Sequence, residues 1–264
     1  MCTVVLLRRP GHDWPLILAA NRDEMTGRAW LPPARHWPDR AEAIAGQDVL
    51  AGGTWLGMND WGVIAGILNR PGSLGPDAAL RSRGELPLEA LDHAEAAVAA
   101  EAMAAVDAES YRSFNLVIAD AAEAFWVRSP GNDDSITLTA IPEGVSMITA
   151  HDLNDATSPR IQRFKPQFEA ARPPDPDTGD WTAWQALMGD TGDAGGFEEG
   201  IDFGRNAMAF TTEATGPDGG FATVSSSLIA LPDPTRAKGP EPIKPKWLFA
   251  PGRPDQTPYE AIEI

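Results

Sequence analysis

The one cysteine of the chain, Cys2, follows Met1 directly. A small second residue permits removal of the initiator methionine. Removal would leave Cys2 with a free α-amino group beside its own thiol. The thiolate is the strong nucleophile, and an α-amine titrates near ~pH 8, so the amine can serve as a built-in base. The plain alternative is a small, buried apolar residue at the start of a strand. The polar run Asn21-Arg22-Asp23-Glu24 is the first candidate to surround the thiol. No second chemistry competes strongly. The histidines, His12, His36, His93 and His151, have no paired metal spacing, so no zinc site is expected. Ala194-Gly195-Gly196 lacks the lysine of a phosphate-binding loop.

The elements that must position these residues are legible by pattern. Thr3 to Leu7 is β-branched and apolar, and Leu16 to Ala20 returns after a turn at Gly11-His12-Asp13. That hairpin ends on Asn21 to Glu24, beside the N-terminus. Trp30 to Asp39 reads as a Pro- and Trp-rich loop. Gly52 to Asn59 and Trp61 to Leu68 read as a strand pair turning at Asn59-Asp60. Glu85 to Ser110 is one helical region, with Pro87 in its first turn. Phe114 to Ala119 and Ala124 to Val127 form a hairpin. Ile136 to Ile141 and Val145 to Thr149 are two more strands. Ser158-Pro159 starts a helix, and Asp180 caps another over Trp181 to Met188. Arg172 to Gly179 is a linker and Gly189 to Gly204 a flexible acidic loop. Ala207 to Thr212, Phe221 to Leu231 and Pro245 to Phe249 are the last strands. The pattern implies a single layered α+β domain over 1–264.

Composition narrows the partners. The 264 residues carry a formal net charge of -17 and a sequence pI of about 4.5. That field repels phosphate backbones, so nucleic-acid binding is excluded and a small-molecule substrate or ligand is expected. A single cysteine forms no internal disulfide. The apolar run after Met1 is too short for a signal peptide and precedes its basic pair. No window approaches a membrane span. A cytoplasmic protein is the expectation; the oligomeric state is left open.

Taken in order, the motifs resemble a known family. Met1-Cys2-Thr3, Ala20-Asn21-Arg22-Asp23-Glu24, Ala51-Gly52-Gly53-Thr54-Trp55-Leu56-Gly57, Asn69-Arg70, Ser82-Arg83-Gly84 and Ser113-Phe114-Asn115-Leu116-Val117 are similar to the NRDE family, which includes the transport and Golgi organisation protein 2 homologues. The resemblance covers at least the first half of the chain. It implies the N-terminal-nucleophile hydrolase fold, a four-layer α-β-β-α sandwich. Choloylglycine hydrolases share that fold, open Met-Cys-Thr, and have stretches resembling Met58-Asn59-Asp60-Trp61-Gly62 and Leu68-Asn69-Arg70-Pro71-Gly72.

The resemblance implies roles. Cys2 would attack a carbon–nitrogen amide or acyl ester bond, and its amine would take the thiol proton. Asp23 would hold the amine, and Asn69 would donate to the oxyanion. Asn21, Arg22 and His151 are the candidate substrate-binding residues, Arg22 for a carboxylate or in support of Asp23. Two positions depart from the pattern. Ala150 or His151 stands where the acylases have a second oxyanion Asn, and Val224 stands where a late Arg is common. No cofactor is expected. The alternative reading is a non-catalytic carrier of haem or of a lipid or acyl-coenzyme-A on the same fold.

Overall fold

The hairpin that follows Cys2 is built from β1 (Thr3–Arg8) and β2 (Leu16–Met25), paired antiparallel with Thr3 opposite Asn21 and Arg8 opposite Leu16. The computed structural model describes residues 2–73, 75, 77–131, 135–192, 207–213, 216 and 219–264. Met1, most of the acidic loop expected from Gly189 and the run Ala194-Gly195-Gly196 lie outside them. In chain order there follow β3 (Trp30–Ala34), β4 (Ala43–Asp48), β5 (Leu56–Asn59), β6 (Ile64–Asn69), α1 (Glu85–Ala90), α2 (Ala96–Ala104), β7 (Phe114–Ala119), β8 (Ala124–Ser129), β9 (Thr137–Ala140) and β10 (Gly144–Ile148). The chain continues with α3 (Pro159–Ala170), α4 (Thr182–Met188), β11 (Phe221–Leu231), α5 (Pro234–Ala237), β12 (Lys246–Ala250) and β13 (Glu260–Ala261).

Two antiparallel sheets result. One has the order β10-β1-β2-β11-β12-β13, the other β3-β4-β5-β6-β7-β8-β9. Side-chain alternation assigns the layers. Val4, Leu6, Leu18 and Ala20 from the first sheet meet Ile44, Met58, Ile64, Leu68 and Val117 from the second in one apolar cluster. The intervening Val5, Leu7, Ile17 and Ala19 pack instead with Ile161, Phe164 and Phe168 of α3 and Trp184 and Met188 of α4. Ala65, Leu116 and Ile118 pack outward against α1 and α2. This is the α-β-β-α sandwich that the sequence implied. The docking of α3 shows which term dominates. Ile161, Phe164 and Phe168 are buried at helical spacing, worth about 1.5–3 kcal/mol each. Together they outweigh the roughly 3 kcal/mol cost of the interior Pro166.

Several elements differ from expectation. Trp30 to Ala34 is a strand rather than part of a loop; as the edge of its sheet it tolerates Pro32 and Pro33. Ala43 to Asp48, unassigned by pattern, is also a strand. The expected single helix from Glu85 breaks between Ala90 and Ala96, with a separate 3-10 turn at Ala108–Ser110. Gly52 to Trp55 is a turn instead of strand, and its function is contact. A Cβ on Gly53 would lie 2.4 Å from the Gly84 carbonyl carbon, and Thr54 N–H donates to Gly84 O at 2.8 Å. The Gly-Gly-Thr-Trp and Ser-Arg-Gly motifs therefore touch through bare backbone. Ala207 to Thr212 contributes only a bridge, from Thr211 to Ala222.

Candidate active site

The pairing of β1 with β2, continued past Thr3, would set Cys2 opposite Arg22 and the preceding residue opposite Asp23. β1 stops at Thr3, and the Cys2 thiol takes over the free edge. Asp23 N–H donates to Cys2 Sγ at 3.3 Å, and Sγ lies 3.5 Å from Asp23 O. The thiol is held by main chain in the place a ladder partner would fill. Contrary to expectation, Asn21 to Glu24 do not end the hairpin. β2 runs on to Met25, because β11 pairs with it throughout, with Ser226 opposite Asn21 and Thr223 opposite Asp23.

Alternation divides the motif between two faces. Asp23 turns toward the α3 side, where its side chain is fully buried. Thr223 Oγ1 donates to its Oδ1 at 2.7 Å, and Arg160 Nη1 lies 3.2 Å from its Oδ2. Asn21 shares that side. Its Nδ2 donates to Met188 O at 2.9 Å and Met208 O at 2.8 Å, so its amide group ties α4 to the 207–210 segment. Arg22 turns into the space between the sheets, the side of Cys2 and Ala20. Its guanidinium stacks on Trp55 at 4.1 Å and lies 3.5 Å from Asp48 and 3.8 Å from Glu24. Arg22 therefore supports Asp48 and Glu24 rather than Asp23. Its Nη1 is buried without a hydrogen-bond partner among the described residues.

The second sheet supplies the other candidates. Asn69 closes β6, half-buried, and its side chain makes no hydrogen bond among the described residues. Farther along the chain, Arg83 feels the charges of Cys2 and Glu24. Arg83 Nη1 donates to Ser73 Oγ at 2.7 Å and to Ser113 O at 2.9 Å. Burial, then the charge of Arg112, pushes its guanidinium down to about 10. Ala150 is buried and offers no polar side chain. His151 follows it, and the carbonyls of Thr149 and His151 are both held by Asn115 Nδ2, at 2.9 and 2.8 Å. The His151 ring lies within electrostatic reach of Asp155. Val224, at the expected position of a late Arg, sits at a β-bulge between Thr223 and Ser225.

Arg160 and Thr223 were not singled out from sequence, and Arg83 entered only within the Ser82-Arg83-Gly84 motif, with no role of its own. Thr223 and Arg160 become neighbours of Asp23 only through sheet and helix packing 200 and 137 residues away in the chain. The one available signal was Ser158-Pro159, which placed Arg160 in the first turn of a helix.

Burial pushes the Cys2 thiol above its ordinary value, and the charge of Asp23 pushes the same way. The resting thiol is therefore protonated at neutral pH. An attack through Cys2 needs a base that takes the proton during the reaction, not a standing thiolate. The sign gives a test: with Met1 retained, Cys2 is expected to react with iodoacetamide more slowly than free cysteine at pH 7. The rate should climb only above the ordinary thiol range, and stopped alkylation read by intact mass would measure it. A rate equal to that of free cysteine across pH 6–9, roughly the span that brackets an ordinary thiol, would contradict it.

Comparisons with known proteins bear on the family and the fold. A family model described as Transport and Golgi organisation 2 matches residues 1–183. The Transport and Golgi organization protein 2 homolog of Homo sapiens is 33% identical over 145 residues, 51% of this chain and 51% of that protein. The Mus musculus homolog is 34% identical over 114 residues, 41% of this chain and 40% of that protein. The matches thus span about half the length of these relatives. Among solved structures, penicillin V acylase from Agrobacterium tumefaciens superposes with a TM-score of 0.56 at 15% identity, covering 95% of this chain and 83% of that one. A Caenorhabditis elegans N-acylethanolamine-hydrolyzing acid amidase ortholog gives 0.54 at 11% identity, covering 99% and 100%. At such identities the likeness speaks for the fold, the N-terminal-nucleophile hydrolase sandwich.

Proposed function

The chain belongs to the Transport and Golgi organisation 2 family, and from that footing we propose that it is an N-terminal cysteine hydrolase cleaving a carbon–nitrogen amide or acyl ester bond of a small molecule. The observation that carries the reading is the seating of Cys2 Sγ on the Asp23 backbone, with the Asp23 carboxylate held by Thr223 and Arg160. A buried apolar cysteine needs none of these partners.

In this mechanism removal of Met1 frees the Cys2 amine. The amine takes the thiol proton as Sγ attacks the substrate carbonyl carbon. The tetrahedral oxyanion accepts a hydrogen bond from the uncommitted Asn69 amide. The intermediate collapses to a thioester, and the amine's proton passes to the departing nitrogen or oxygen. Water then adds to the thioester, giving its proton to the amine. The acid leaves and the thiol is restored. Arg22 Nη1, buried and unsatisfied among the described residues, binds an oxygen of the substrate, and His151 supplies a second contact to it. Asn21, whose Nδ2 is engaged with Met188 and Met208, bears on substrate through the placement of α4. The substrate is a small molecule, and the chain works in the cytoplasm. Among the described residues no helix is long and apolar enough to cross a membrane.

The reading has a direct kinetic consequence. Asn69→Ala is expected to lower kcat by about 10²–10³ with little change in KM, as loss of one oxyanion donor does. Steady-state turnover of the best substrate from an amide and ester panel checks this. A change confined to KM would remove Asn69 from the transition state.

A further inference from the structure

Arg160 is in the wrong place for a helix cation. It occupies the first turn of α3, directly after Ser158 as N-cap and Pro159. The helix dipole disfavours positive charge there. It is also only 5% exposed, where an unpaired cation is costly. The rest of the turn is anchored to hold it. Ser158 Oγ accepts from Ile161 N–H and lies 3.3 Å from Thr149 Oγ1, at the exit of β10.

What the guanidinium touches explains the placement. One nitrogen, Nη1, lies 2.6 Å from Thr3 Oγ1 and 3.2 Å from Asp23 Oδ2. The residue after the nucleophile and the carboxylate beside it are thus joined through one donor group. The buried ring of Phe210, 5.8 Å from the guanidinium carbon, covers the cluster. With Thr223 on Oδ1, the Asp23 carboxylate is gripped at both oxygens. Val224, the neighbour of Thr223, bulges out of the ladder and supplies no charge.

We propose that Arg160 is a positioning residue of the Cys2 site: it acts through Asp23 and Thr3, fixing the first residue of β1 and orienting the carboxylate that serves the Cys2 amine. The role rests on the N-terminal nucleophile reading, with the cation supplied from α3 rather than from β11.

The test is a double-mutant cycle on iodoacetamide labelling of Cys2 at pH 7, in protein whose loss of Met1 is verified by mass. Arg160→Met and Asp23→Asn should each slow labelling about tenfold, because both leave the Cys2 amine unheld and that loss outweighs the direct push of the Asp23 charge on the thiol, and the double variant should be no slower than either alone, because residues acting through one another are not additive. Arg160→Lys, which keeps the charge, should stay within about threefold of the parent. A merely structural role predicts the opposite sign, since loosening the fold exposes the thiol and speeds labelling. Should Arg160→Met not fold, Arg160→Gln takes its place with the same expected slowing. An unchanged rate in a folded neutral variant, or losses that multiply in the double variant, would overturn the proposal. The assay uses no substrate. Absence of turnover with every labelling result as expected would therefore refute the hydrolase and leave the role of Arg160 standing.

Discussion

Cys2→Ala is expected to abolish turnover in protein lacking Met1, to the background of the uncatalysed reaction. The loss should be complete because Cys2 is the only thiol in the chain and the proposed step forms a bond to it. The fold should survive. Cys2 is only partly buried, at the edge of the cluster between the sheets, and alanine keeps the strand. Substrate should still bind, through Arg22 and the walls around it. A carrier predicts otherwise: Cys2→Ala would weaken haem binding and shift the haem absorption spectrum if sulfur touches the iron, while no substrate is consumed by either protein. An amide and ester panel run beside a haem titration, on parent and variant, separates the two.

The second large effect falls on stability. Asp23→Ala should destabilise the protein by about 3–5 kcal/mol, the usual cost of removing one member of a buried ion pair. The side chains of Asp23 and Arg160 are 0% and 6% exposed, so water cannot replace the missing partner. Thr223 Oγ1 also loses its acceptor. Asp23→Asn keeps one acceptor oxygen, enough for Thr223 or Arg160 but not both, and should cost less. Urea unfolding of the two variants checks the order. Equal stability of Asp23→Ala and the parent would mean that the ion pair does not bury Arg160 as described.

Local pattern carried much of the sandwich. The β1–β2 and β7–β8 hairpins are near-continuous apolar runs, buried on both faces and readable as strands from composition and the turns between them, and Ser158-Pro159 announces α3. β3 escaped because prolines signal loop in the absence of knowledge that a strand lies at an edge. β4, Ala43 to Asp48, has small residues and no alternation to read. The helix expected from Glu85 ran too far because alanine-rich sequence favours helix on both sides of the break, and nothing local marks the stop. Gly53 and Gly84 show why composition misled between Gly52 and Trp55. Their contact joins residues 31 apart, and only the fold reveals that the glycines are there for approach rather than for a strand.

The proximity of Cys2 and Asp23 was legible in the sequence, and the support around them was opaque. Cys2 and Asp23 could be paired from chain position and a motif, and the structure sets Sγ against the Asp23 backbone. The face each residue uses could not be paired so easily. A hairpin that stopped at Ala20 would leave Asn21, Arg22 and Asp23 clustered on a loop. A strand continuing to Met25 sends Asn21 and Asp23 one way and Arg22 the other. Arg160 lay outside any motif considered, because its meaning depends on a helix docking across the back of β2.

The central claim is that Cys2 forms a covalent acyl intermediate, and intact mass spectrometry tests it most directly. Protein lacking Met1 is mixed with an ester and amide panel and quenched in acid within the first turnovers. The account predicts an added mass equal to the acyl group, located on Cys2, formed and discharged at rates consistent with turnover and absent from Cys2→Ala. Unmodified protein at every time point with no product released, alongside haem binding that depends on Cys2, would contradict it.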